Sequence, residues 1–119
     1  MTRITYWRPQ TPAGEYRVEM QGHASYSHEG PDIVCAAASA LCCTLAEALS
    51  RKQRSGQCVL TRCQLTAGKT DIAAFPVREE ERLEEIFQTI CTGFEMLCKE
   101  YPNHVLWIEQ KTGKSGGTE

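Results

Sequence analysis

The sequence predicts an α+β domain, a small and mostly antiparallel sheet with two helices packed on one face, in the order β-β-α-β-β-α-β. Three observations predict it. Short β-type runs bounded by Pro and Gly occur near both ends and in the middle of the chain. Ile33 to about Ser50 forms a long segment with neither Gly nor Pro. Glu79 to Tyr101 carries apolar residues at helical spacing.

The elements follow in order. Ile4 to Trp7 begins a first strand, closed by the turn Arg8 to Gly14 with Pro9 and Pro12. Glu15 to Gln21 alternates, Tyr16, Val18 and Met20 facing one way and Arg17 and Glu19 the other, which is a half-buried strand. Gly22 to Pro31 has no periodicity and reads as a mobile loop. Asp32 is a good N-cap for the helix that follows. That helix is apolar almost all round, so it should lie deep against the sheet, and it ends in the basic turn Arg51 to Arg54 before Ser55-Gly56. Cys58 to Gln64 and Thr70 to Val77 fit a hairpin across Thr66-Ala67-Gly68-Lys69. Glu79 to Arg82 places carboxylates at the start of the second helix, whose stripe runs Leu83, Ile86, Phe87, Ile90, Phe94, Leu97, Cys98, Tyr101. Pro102-Asn103 stops it, and Val105 to Ile108 is a last strand. Residues 1–110 make one domain and 111–119 a flexible polar tail.

The 119 residues and 13.3 kDa suit one domain with one core. Apolar residues at 41% and charged residues at 24% exclude intrinsic disorder. A net charge of −2 and a pI near 5.9 speak against binding nucleic acid through bulk charge. No apolar run suggests a membrane span of about 20 residues, and the first twenty residues hold no secretory h-region. A soluble, cytoplasmic protein is expected. Seven cysteines cannot all pair, and a reducing compartment would keep them as thiols. No Cys-x-x-Cys occurs, so neither a zinc site nor any other metal or cofactor is expected, and most of these thiols should be buried packing.

One constellation carries chemistry. A strand ends at Gly22-His23 and a helix opens at Asp32, which puts Cys35 in its first turn. The N–H groups and positive end of a helix dipole lower the pKa of a thiol placed there and can hold an oxyanion. His23, on a strand end, can take the thiol proton and return it to a leaving amine. The competing reading is plain: a cysteine in an alanine-rich helix is inert packing, and Asp32 caps the helix while its charge opposes the dipole. Ser39, one turn after Cys35, either lines a pocket or fills a helix–sheet contact. His28 is a rival base inside the loop, and His104 has no assigned role. Glu79 to Glu85 reads as a solvated helix start.

Gly22-His23-Ala24, then Gly30, then Asp32-Ile33-Val34-Cys35-Ala36-Ala37-Ala38-Ser39-Ala40-Leu41 resemble the ribosomal-processing cysteine protease (Prp) family of bacteria, and the likeness of element order covers nearly the whole chain. The resemblance implies a catalytic dyad of His23 and Cys35, with Gly22, Gly30, Asp32 and Ser39 supporting the site or lining a substrate pocket. It implies a homodimer that removes the N-terminal extension of a large-subunit ribosomal protein, with no membrane and no direct nucleic-acid contact. Ala38, where the family often has a bulkier aliphatic, and the Cys42-Cys43 pair depart from the pattern, and neither touches the dyad. Two other readings stand beside this one. The basic cluster Arg51, Lys52 and Arg54 could serve a non-enzymatic ribosome-associated module, and the surplus cysteines a thiol redox sensor.

Overall fold

Seven elements build the domain: β1 (Thr2–Pro9), β2 (Tyr16–Gln21), α1 (Ile33–Arg54), β3 (Cys58–Thr66), β4 (Lys69–Pro76), α2 (Glu80–Glu100) and β5 (Val105–Thr112). The computed structural model describes residues 1–22 and 33–112. The order is the one expected from the sequence. The strands form one sheet in the order β3-β4-β2-β1-β5. All pairings are antiparallel except β1 with β5. β2 and β3 both run antiparallel to β4, so they point the same way and end at the same edge of the sheet. That shared end is where the candidate site forms.

Strand alternation divides the sheet into two unlike faces. Ile4 and Tyr6 of β1, Val18 and Met20 of β2, Ile72 and Ala74 of β4 and Val105 of β5 share the helix side, and all are buried. The helices close on them with Leu45 and Leu49 of α1 and Leu83, Phe87 and Phe94 of α2. The two helices touch where Gly93 meets Leu41: a Cβ at Gly93 would lie 2.8 Å from a Leu41 methyl carbon, so a larger residue there would make the Leu41 side chain turn aside. Helix α1 is less deeply set than its composition suggests. One stripe, Val34, Ala38, Cys42, Leu45, Ala46 and Leu49, is buried, while Ala36, Ala40 and Cys43 are exposed. By length and composition alone Ile33–Arg54 is apolar enough to cross a membrane, contrary to the expectation that no segment is; 33% of its apolar window is buried, in the sheet–helix core.

Two further expectations change. β5 continues through Lys111 and Thr112, because these residues pair with Arg8 and Pro9; the rest of the expected tail, 113–119, lies outside the described residues. The acidic start of α2 is more than solvated. Glu80 accepts hydrogen bonds from the Ala13 N–H at 2.9 Å and the Tyr16 hydroxyl at 2.7 Å, tying α2 to β2 and the turn before it. The basic end of α1 is partly neutralised: Glu47 pairs with Arg51 at 3.1 Å and Arg54 at 3.8 Å.

Among the described residues no helix covers the other face of the sheet, and charged side chains lie there instead. Arg17 forks onto Asp71 at 2.8 and 2.9 Å, Arg62 reaches the same carboxylate at 3.3 Å, and the Arg17 guanidinium stacks 4.7 Å over Trp7. Ala73 and Thr5 are buried on this face. Burial pushes the Asp71 carboxyl up, but the Arg17 hydrogen bonds and the charges of Arg17, Arg62 and Lys69 outweigh it and hold the group below its usual range. A carboxyl depressed in the folded state contributes stability above its unfolded pKa of about 3.9 and loses it as pH falls toward the folded value. Asp71→Asn is expected to cost about 2 kcal/mol at pH 7 and less below pH 4. Urea unfolding at both pH values checks this, and an equal cost at both would contradict it.

Candidate active site

The site begins with the choice among seven thiols, none of which is in a disulfide. Cys42, Cys58 and Cys91 are buried, and burial pushes each thiol up, Cys42 to about 12. Cys98 is half-buried, its Sγ 3.4 Å from the Val105 carbonyl oxygen. Cys43 and Cys63 are exposed, mid-helix and mid-strand. Cys35 alone lies in the first turn of a helix, half-buried, as the third residue of α1.

Cys35 opens into a cleft of about 220 Å³ at the sheet end where β2 and β3 finish. Met20 and Thr70 on adjacent strands form part of its lining with Ala38 of α1, and Ser39 lies on the α1 side. The Cys42 thiol sits behind them, 4.0 Å from the Met20 sulfur and hydrogen-bonded to Thr70. The turn Thr66-Ala67-Gly68 between β3 and β4 forms the opposite wall. This wall is tied to β2 by the Gly22 N–H, which donates to the Gly68 carbonyl at 3.0 Å.

The structure thus brings together three of the residues singled out in the sequence: Cys35, Ser39 and Gly22 line one cleft. Ser39 is exposed at the rim of this cleft. His23, Gly30 and Asp32 lie outside the described residues, as does His28. The hairpin turn, Thr2, Met20 and Thr70 were not singled out by sequence reasoning. No local motif marks them; only the strand order carries them to the cleft.

Gly22 is required twice over. Its φ is +86°, and a Cβ there would lie 2.6 Å from the Met1 carbonyl oxygen. Gly22→Val is expected to destabilise the fold by about 2 kcal/mol or more and to loosen the turn wall of the cleft. Thermal unfolding together with the rate of thiol alkylation at Cys35 checks both parts. A variant as stable as the parent would refute this account of Gly22.

The chain matches the family model described as cysteine protease Prp over residues 1–106. It belongs to the cysteine protease Prp family. As a Prp-family chain it is a cysteine protease, which makes the thiol in the cleft the first candidate for its nucleophile. Solved structures share the fold. One is the ribosomal processing protease Prp from S. aureus with a covalently linked product peptide, at 23% identity and TM-score 0.69, covering 92% of this chain and 99% of that one. A second is SMU.848 from Streptococcus mutans, at 24% identity and TM-score 0.65, covering 94% and 96%. The S. aureus protease with a substrate peptide matches at 20% identity and TM-score 0.63, covering 92% and 99%. No curated protein matches the chain.

Proposed function

We propose that this Prp-family chain is an endopeptidase with a dyad of Cys35 and His23, and that it removes the N-terminal extension of a large-subunit ribosomal protein. The observation that carries the reading is the position of Cys35, in the first turn of α1 and open to a cleft walled by the β3–β4 turn. The His23 imidazole takes the Cys35 proton, and the thiolate adds to the scissile carbonyl carbon. The N–H groups of the first turn of α1 hold the developing oxyanion. His23 returns the proton to the leaving amine as the C–N bond breaks, leaving a thioester on Cys35. Water, deprotonated by His23, then hydrolyses the thioester and restores the thiol.

In this reading Ser39 lines the pocket, and Gly22, Gly30 and Asp32 support the site. The substrate class is supported by the family resemblance of the Gly22-His23-Ala24 and Asp32 to Ser39 blocks and by the ribosomal-processing role of the S. aureus protease. The same resemblance supports a cytoplasmic homodimer. Incubation of the purified protein with the host's extended ribosomal protein, read by mass spectrometry, is expected to give one N-terminal cut. No cut, with binding retained, would replace this reading with a ribosome-associated module.

A further inference from the structure

We propose that the outer edge of β3, from Thr61 to Thr66, takes an extended stretch of the polypeptide substrate by strand addition and feeds it into the Cys35 cleft. The proposal rests on the protease reading above. β3 ends the sheet, with β4 as its partner, so its far side presents backbone N–H and C=O groups. The chain closes the first part of that edge. The Leu60 N–H donates to the Gln53 side-chain oxygen of α1 at 2.6 Å, and a bulge follows between Leu60 and Arg62. Past the bulge no such side-chain bond to the backbone N–H groups is present among the described residues. Thr61 to Thr66 are all exposed and contain no proline, and the charged Arg62 is drawn onto the far face of the sheet by Asp71 at 3.3 Å.

The open half is also the half that adjoins the cleft. β3 ends at Thr66, and Thr66, Ala67 and Gly68 line the same cleft as Cys35. The other sheet edge, β5, contributes no lining residue among those described. Six residues of strand give about 20 Å of backbone, enough to align five or six substrate residues before the chain turns into the cleft. The side chains beside such a strand differ by face. Cys63 and Leu65 stand opposite Ile72 and Thr70 on the helix side, while Arg62 and Gln64 stand opposite Ala73 and Asp71 on the other. Leu65, 45% exposed, is an apolar contact for the substrate residue beside it on the helix side.

Backbone pairing predicts a period of two in the substrate. A synthetic peptide spanning the ribosomal protein's extension and cleavage site is N-methylated one amide at a time and its cleavage followed. Methylation at alternate positions in the flanking stretch is expected to lower kcat/KM by tenfold or more, and the positions between to change it less than threefold. Hydrogen exchange on the Cys35→Ala protein with the unmodified peptide is expected to slow at amides within Thr61 to Thr66 and not in β5. Cleavage with an N-methyl effect that does not alternate overturns strand addition and leaves the protease reading in place. So does protection of β3 that grows with protein concentration in the absence of peptide, which assigns the edge to a second copy of the chain. A peptide neither cut nor bound overturns the protease reading, and this proposal with it.

Discussion

Cys35→Ala is expected to abolish peptide cleavage, by about 10⁴-fold or more, while the protein stays folded. Removing the nucleophile leaves only binding and the oxyanion donors, and these cannot form the thioester. The fold survives because Cys35 is half-buried at the rim of the core and loses a single sulfur. Cys42→Ala makes the contrasting control. Its thiol is buried between Met20 and Thr70, so its loss is expected to cost about 1 kcal/mol and to leave the chemistry in place. His23→Ala is expected to slow cleavage by about 10²–10⁴-fold, the usual worth of a positioned acid–base group. Mass-spectrometric rates and urea unfolding on all three variants separate the roles. Cleavage that survives Cys35→Ala would move the nucleophile elsewhere, and a rate unchanged in His23→Ala would assign the base to another group.

The sequence carries the elements and the thiol of this site, and it carries little of the architecture around them. Helical and strand periods are local, so the stripe from Leu83 to Tyr101 and the alternation from Tyr16 to Met20 are read directly. Cys35 is legible because its place depends only on where α1 starts. Strand order is not local. The parallel pairing of β1 with β5 joins residues about a hundred positions apart, and nothing in either strand's pattern names its neighbour. The same limit hides the fork between Arg17 and Asp71, which lie 54 positions apart on separate strands. It hides the turn wall too, since Thr66 to Gly68 looks like any hairpin turn until β2 and β3 are known to end together. The depth of α1 was overread for a different reason. Alanine is both an apolar residue and the best helix former, so an exposed alanine face looks buried in a hydropathy pattern.

Phe87→Ala is expected to be the most destabilising single change on the helix side, costing about 3–5 kcal/mol, and yet to leave the chemistry of the folded fraction intact. Phe87 is fully buried and stacks between Tyr6 of β1 and Tyr16 of β2, with ring centroids 5.9 and 5.4 Å away. The column continues through Trp107 of β5, 6.5 Å from Tyr6 and 6.0 Å from Phe94. One ring on α2 therefore clamps the centre of the sheet, and its removal deprives two neighbouring rings of a stacking partner as well as leaving a cavity. The Tyr16–Glu80 hydrogen bond stands on the same strand–helix contact and should weaken with it. The cleft lies at another end of the sheet, and α2 supplies none of its described lining. Stability and catalysis are thus expected to separate: the urea midpoint falls sharply, while kcat/KM at low temperature, corrected for the folded fraction, stays within about twofold. A loss below about 1 kcal/mol would show that the aromatic column does not hold the helix layer to the sheet. A large fall in kcat/KM of the folded protein would show that α2 reaches the site through the sheet, and would tie the two ends of the domain together.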